Sequence, residues 1–334
     1  MSSDQTNAKH HFIQRWFLEY FAEHGKVAVW KRDDGSIRES LPINIASVKG
    51  LYTLIHDGKK DDSIEKDVTK VENSAEQIIR NINSRLPYSP TGNDKFLLAR
   101  YIALQYLRTP ESIRRSELHF DWAVRMQTLA DINNDESMTE QEKATQRDHM
   151  LNLSWGEYTQ GQGSGLARNL LAWKTLTECL EARSWHIEAF SKPSLIISDS
   201  PLGFCASFGK LPVGNTGFKD AYGIWFPLSS TRLLIMENIP VVKFFDSLGV
   251  RWNFPNLDKV WNEIQIRKTY IEAYGPISIM EQFRGKKLKE KPLSNIQGGG
   301  KVLDSFSGYY NEPPKKKYPF RQKNLEPIIE EGGS

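Results

Sequence analysis

Cysteine is scarce in this chain: Cys179 and Cys205 are the only two in 334 residues. Two thiols cannot build a disulfide framework, and they cannot hold a structural zinc without other ligands. So low a usage suits a reducing compartment. Long apolar runs are missing too. Nothing approaches the roughly 18 consecutive apolar residues of a membrane span, and the polar opening Met1–His11 has no apolar h-region. Neither a signal peptide nor a membrane partner is expected, and the expected location is the cytoplasm. A net excess of either charge is nearly absent, since 44 Lys and Arg stand against 41 Asp and Glu. That balance excludes a polycation that would take nucleic acid over its whole surface. The short signatures of common chemistries are also missing. There is no His-x-His, no His-Glu-x-x-His and no Gly-x-Ser-x-Gly elbow, so spacing marks no metal site and leaves the cofactor unknown.

Core material is plentiful, with nine Trp, sixteen Phe and twelve Tyr. The positive charge gathers at one end. From Arg284 onward there are eleven Lys and Arg against six Asp and Glu, which leaves the rest slightly acidic. The same segment carries Gly298-Gly299-Gly300, Pro313-Pro314 and Lys315-Lys316-Lys317. Such composition cannot bury enough apolar surface to order itself. The expected organisation is one domain over residues 1–283 and a basic, disordered tail over 284–334. Nucleic acid is one partner expected for that tail, and a solvated linker or partner-docking tail is the alternative.

Periodicity predicts the elements. Ile13–Phe21 reads as a short helix burying Phe17, Leu18 and Phe21. Val27–Lys31 alternates like a strand, and Asp33-Asp34-Gly35 reads as its hairpin turn. Ile64, Val68, Val71, Ala75, Ile78 and Ile82 recur at steps of three and four, which predicts a helix over Asp62–Arg85. Further helices are expected over Asn93–Arg108, Glu111–Asp131, from the capping box Thr139-Glu140-Gln141-Glu142, and over Leu166–Arg183. Trp185–Phe190, Ser194–Ser198, Ile224–Phe226 and Arg232–Met236 read as strands, and Leu257–Tyr274 as a last helix. A helical block over about 62–183 followed by a β-rich block over about 184–240 predicts an α+β fold, with a small N-terminal hairpin and a short mixed or antiparallel sheet in the C-terminal half.

Few motifs carry chemistry. Gly161-Gln162-Gly163-Ser164-Gly165 precedes a predicted helix, where backbone N–H groups can cradle a phosphate. It matches neither the P-loop nor the dinucleotide fingerprint, and a loop with Ser164 as helix cap is the simpler reading. Both cysteines lie in apolar surroundings, as small hydrophobes do. More informative is the helix over 93–108. Leu98, Tyr101, Ile102 and Gln105 share a face, with Arg108 one turn beyond. An amide and a guanidinium on an apolar stripe need partners. Glu65 and Glu72 lie seven apart on one side of the preceding helix, and Glu72 is placed to meet Arg108. Such a network can lock two helices or form a site.

A family resemblance runs through the same residues. His11-Phe12-Ile13-Gln14-Arg15-Trp16-Phe17-Leu18 resembles the His-Tyr-Val-Pro-x-Phe-x-Leu opening of an uncharacterised family, domain of unknown function 4238. In order, the hairpin over 27–35, Tyr52, Glu72, Gln105-Tyr106-Leu107-Arg108-Thr109-Pro110, Ser198-Asp199-Ser200-Pro201 and Phe226-Pro227-Leu228-Ser229 resemble its later elements. The resemblance covers roughly residues 10 to 275, and Gln14 stands where that family usually has proline. It implies kinship of fold and no activity. The polar residues it gathers are His11, Glu72, Gln105, Arg108 and Asp199, candidates for a catalytic site. His11 is the acid or base, Arg108 a fork for phosphate or carboxylate, and Gln105 orients water or a substrate amide. Glu72 and Asp199 position His11 or accept a proton. The expected function is hydrolysis of a phosphate-bearing substrate, nucleic acid by class, in a toxin or defence setting. The alternative is a non-catalytic binding module whose polar network is structural.

Overall fold

The fold is described by a computed structural model over residues 9–49, 51–52, 54–56, 59–61, 63–85, 88–152, 164–205, 217–219, 221–240, 243, 247 and 256–288. The chain opens with strand β1 (Lys9–His11), helix α1 (Arg15–Glu19) and the hairpin β2 (Val27–Lys31) and β3 (Ile37–Ser40). Short strands β4 (Ser47–Lys49), β5 (Leu54–His56) and β6 (Lys59–Asp61) lead into the helices. These are α2 (Ser63–Ser84), α3 (Gly92–Leu107), α4 (Pro110–Asn134), α5 (Glu140–Asn152), α6 (Ser164–Leu170) and α7 (Trp173–Glu181). Strands β7 (Ser184–Ala189), β8 (Ile197–Ser198), β9 (Gly203–Cys205), β10 (Gly223–Ser229) and β11 (Arg232–Glu237) follow, then α8 (Leu257–Lys268), β12 (Glu272–Gly275) and α9 (Ile277–Met280). The fold is α+β, and the predicted segregation of helices and strands holds.

Two antiparallel four-stranded sheets organise the strands, in the orders β7-β11-β10-β9 and β3-β2-β12-β8. Alternation assigns each face its core. In β10, Ile224, Phe226 and Leu228 face the helices, while Trp225 faces α8. In β2, Val27 and Val29 join the helical core, while Ala28 and Trp30 meet Ile266, Met280 and Phe283. Covering both faces explains why β10 is buried along its whole length and reads as a nearly unbroken apolar run. The N-terminal hairpin is therefore no appendage. It forms half of the second sheet, because β2 pairs with β12 from the far end of the chain.

Three expected elements come out differently, each for a visible reason. The single helix over Leu166–Arg183 is two, broken at Leu171-Ala172, with Leu171 85% exposed. The break lets α6 lie on α4 while α7 turns onto α3. It is fastened by Asn169 donating to the Leu107 carbonyl and Trp173 Nε1 donating to the Arg100 carbonyl. The strand over Ser194–Ser198 shrinks to Ile197–Ser198 because helix side chains take the place of a neighbouring strand. Asn262 Oδ1 accepts from Ile196 N–H at 3.1 Å, Asn262 Nδ2 donates to the Ser194 carbonyl at 2.8 Å, and Trp261 Nε1 donates to the Ile196 carbonyl at 2.8 Å. The helix over Leu257–Tyr274 stops at Lys268. There Arg32 Nη1 donates to the Thr269 carbonyl at 2.6 Å, which suits a cation at a helix C-terminus. The remaining residues become β12.

Other expectations match closely. Gly35 takes φ +69° in the hairpin turn. The Thr139–Glu142 box closes reciprocally, with Glu142 N–H donating to Thr139 Oγ1 and Glu142 Oε2 accepting from Thr139 N–H. Gly161–Gly163 and the segment from 289 onward lie outside the described residues. The expected tail boundary at 284 moves outward. Trp30 Nε1 donates to the Phe283 carbonyl, Gly285 N–H to the Gly35 carbonyl, and Lys286 Nζ to Glu263. The body thus continues through Leu288.

That contact yields a prediction. A Cβ on Gly35 would sit 2.7 Å from the Gly285 carbonyl carbon, whereas a Cβ on Gly25, also at positive φ, meets nothing within 4 Å. Gly25→Ala should cost about 1 kcal/mol from its left-handed backbone alone. Gly35→Ala should cost about 3 kcal/mol, because strain and a backbone clash add. Equal losses in denaturant melts would show that residues 284–288 do not dock on the turn.

Candidate functional site

Three elements assemble the polar cluster. Helix α3 brings Gln105, and Arg108 at its C-terminal end, and both are fully buried. Helix α2 buries Val68, Val71 and Ala75 against the core, which carries Glu72 along the edge of the same stripe. Strand β1 pairs with β4 through His10–Val48 and His11–Ser47. That pairing, with Phe12 N–H donating to the Ala46 carbonyl, lays the N-terminal segment across α2 and α3.

Hydrogen bonds then interlock. Arg108 Nη1 donates to Glu72 Oε1 and, at 2.9 Å, to the Tyr52 hydroxyl, while Nη2 donates to Gln105 Oε1. Gln105 Nε2 donates to the Phe12 carbonyl at 2.6 Å. Gln14 Nε2 donates to the same Glu72 oxygen, and Gln14 Oε1 accepts from the Tyr101 hydroxyl at 2.9 Å. The two amides play one part. Each turns its nitrogen to an acceptor and its oxygen to a donor, an orientation dictated by the carboxylate and the guanidinium, which can only accept and only donate. The Tyr52 ring packs on His10 with centroids 5.1 Å apart, and its hydroxyl reaches the His11 carbonyl at 3.4 Å. Glu65, on the same side of α2 as Glu72, meets His10 at 3.5 Å.

Electrostatics separate two roles. Burial alone would lower the Arg108 pKa, but the Tyr52 hydroxyl and the Glu72 carboxylate more than offset it, so the guanidinium stays charged. Burial pushes the Tyr52 hydroxyl up to about 12, so it is a neutral donor and acceptor. His11 goes the other way. Burial, aided by the Arg108 and Arg15 charges, holds it below its usual value despite a hydrogen bond to the Ile43 backbone and the nearby Glu72. A backbone hydrogen bond that favours the charged ring is one to a carbonyl. Among the described residues the buried His11 Nε2 has no hydrogen-bond partner.

Four of the five expected residues, His11, Glu72, Gln105 and Arg108, therefore meet. Asp199 belongs to another group. Its carboxylate accepts from the backbone N–H of Tyr270, Ile271 and Glu272 at 2.8, 2.5 and 3.0 Å. Its own N–H donates to the Glu272 carbonyl. Asp199 thus bonds not within its own turn but across to the segment that joins α8 to β12. Sequence reasoning passed over Gln14 as a site residue, and nothing short of its position opposite Tyr101 and Glu72 would have marked it. Gln14 takes φ −58°, the value a proline has, so the departure from the family pattern leaves the backbone beside His11 as a proline would set it.

A family model described as "Protein of unknown function (DUF4238)" matches residues 9–274. No curated protein and no solved structure matches the chain.

Two substitutions test these assignments. Arg108→Lys keeps the charge but cannot serve Tyr52, Glu72 and Gln105 together. It should cost about 3 kcal/mol by denaturant unfolding, because the buried partners are left half satisfied; an unchanged midpoint would contradict the interlocked geometry. Asp199→Asn replaces an acceptor of three N–H bonds and should cost about 2 kcal/mol. Burial pushes this carboxyl up to about 7, with the three N–H groups pulling against it. Its folded pKa therefore lies above the unfolded value. The stability it contributes is fully present in acid and lost as pH rises through about 7. Asparagine should remove that part of the pH dependence, which unfolding curves between about pH 4 and 8 would register.

Proposed function

Because the chain belongs to the DUF4238 family, whose description assigns no activity, we propose its function from the geometry: a hydrolase acting on a phosphate-bearing substrate, nucleic acid by class, with His11 as general base. The observation that carries this reading is the division of labour between the two ring nitrogens of His11. In this reading Nδ1–H faces the Ile43 backbone, which favours the charged ring, and the buried Nε2 has no hydrogen-bond partner among the described residues. An imidazole kept neutral, with one nitrogen anchored and the other presenting its lone pair, can take a proton from an attacking water. Nε2 lies inside the fold, so the group it meets is as small as a water.

Arg108 takes a different part from the one its residue type suggests. Both of its terminal nitrogens are engaged by protein groups, so it fixes Glu72 and Gln105 around His11 and does not grip phosphate. Cationic contact falls to Arg15, which is 60% exposed and close enough to depress the His11 pKa, and to the basic residues that follow position 283. Neutral His11 beside fixed cations suits a phosphodiester, whose attack builds negative charge on phosphoryl oxygen.

A second reading has its own support. Gln14, Tyr52, Glu72, Tyr101, Gln105 and Arg108 are bonded to one another, with Arg108 Nε left over among the described residues, which is how a structural lock is built. In that case the protein is a binding module and His11 does no chemistry.

The deciding measurement is hydrolysis of single- and double-stranded RNA and DNA by the full chain and by His11→Ala. The variant should lose roughly two orders of magnitude or more in kcat/KM while losing at most about 1 kcal/mol of stability. Activity should rise with pH along an acid limb centred below 6.5, since His11 must be neutral and its pKa is lowered from that value. Substrate affinity should weaken as salt is added. A stable His11→Ala that hydrolyses as fast as the parent would leave the binding module standing.

A further inference from the structure

Glu72 is the carboxylate whose field favours protonation of His11, yet it has not closed on the ring: among the described residues Nε2 has no hydrogen-bond partner. Glu72 is 18% exposed, at the edge of the buried stripe of α2. What holds it back is visible. Arg108 Nη1 and Gln14 Nε2 both donate to the same oxygen, Oε1. Arg108 is anchored independently by Tyr52 and Gln105. Gln14 is anchored by the Tyr101 hydroxyl, and Tyr101 is itself fully buried on α3. The amide is therefore a fixed donor that reaches Glu72 from the N-terminal segment, three residues beyond His11.

We propose that Gln14 is a positioning residue: its side-chain amide clamps Glu72 against Arg108 and keeps the carboxylate off His11 Nε2, so that the ring nitrogen stays free for a proton from water. The proposal rests on the reading of His11 as general base and adds the residue that sets its state. The charged groups facing His11 are Glu72, Arg108 and Arg15. Of these, Glu72 alone raises the basicity of the ring. A carboxylate stripped of one N–H donor is a stronger hydrogen-bond acceptor and is freer to move. Swung onto Nε2, it makes an ion pair with the protonated ring and holds that proton. Without Gln14, His11 becomes a more basic and less available group.

The backbone permits a clean test. Gln14 takes φ −58°, at the N-terminal boundary of α1, where its carbonyl accepts from Phe17 and Leu18 N–H. Proline fits that dihedral and keeps that carbonyl. Gln14→Pro therefore deletes the amide and retains the turn, and Gln14→Met deletes the amide and retains the side-chain length. The readout is the His11 ring titration, followed by NMR on the full chain with His11→Ala assigning the signal, so it does not depend on finding the substrate. Both variants should fold and should raise the His11 pKa by about half a unit or more. Adding Glu72→Gln to Gln14→Met should return it toward the parent value or below. On any substrate the parent hydrolyses, the acid limb of kcat/KM should move up with the titration. A His11 pKa unmoved in both variants overturns the clamp, as does unfolding of both, which would make Gln14 part of the scaffold. A moved titration with no His11-dependent hydrolysis keeps the clamp and removes the base.

Discussion

The buried charge of Arg108 is the constraint on which the site depends. A guanidinium with no solvent exposure must find its partners inside the protein, and each partner here comes from a different place in the chain. Tyr52 comes from the loop after β4, Glu72 from α2 and Gln105 from α3 itself. The two helices, the N-terminal strand pair and the loop are thus held at one point. The amides of Gln14 and Gln105 extend the network to the Tyr101 hydroxyl and the Phe12 carbonyl. Both terminal nitrogens of Arg108 are engaged within the protein, and its Nε, which has no partner among the described residues, is buried, so the guanidinium is not free to grip a ligand. Low dielectric makes each of these hydrogen bonds strong and each vacancy costly, so the residue that organises the site is the one least free to take part in it.

A second buried polar system does comparable work where the sheets join. Residues 199–202 run from β8, at the edge of one sheet, to β9, at the edge of the other. Asp199 there collects three N–H groups from the turn into β12. Helix α8 supplies Trp261, Asn262 and Gln265 to the backbone of 194–201, in the way a neighbouring strand would. The arrangement lets one helix cover both sheets, with Trp261 and Ile264 against one and Ile266 against the other. Two carboxylates of similar appearance in the sequence, Glu72 and Asp199, are separated by this geometry into two distinct polar systems.

Much of the secondary structure was legible because it rests on local physics. The stripe from Ile64 to Ile82 could pack only as a helix, Gly35 had to take a positive φ, and Thr139 with Glu142 formed the box that their spacing allows. The misread segments are those whose backbone is satisfied from far away. Leu195 and Ile196 look like a strand and are bonded by a helix; Tyr270 to Tyr274 look like helix and are drawn out by Asp199 and by pairing with β2. The break at Leu171 reflects two different surfaces awaiting α6 and α7. No periodicity within a segment carries such information.

The sequence by itself determined the α+β class and the presence of an amide and a guanidinium on an apolar helical stripe, because composition, spacing and local propensity are properties of neighbouring residues; its ordered motifs carried the family resemblance. Only the tertiary structure decided which groups satisfy that guanidinium. It also placed Asp199 outside the polar cluster and Gln14 inside it, and it buried His11 Nε2 without a hydrogen-bond partner among the described residues. Those outcomes turn on where buried hydrogen-bonding groups find partners across tens or hundreds of residues, and a buried polar group takes the partner that the packed core brings to it.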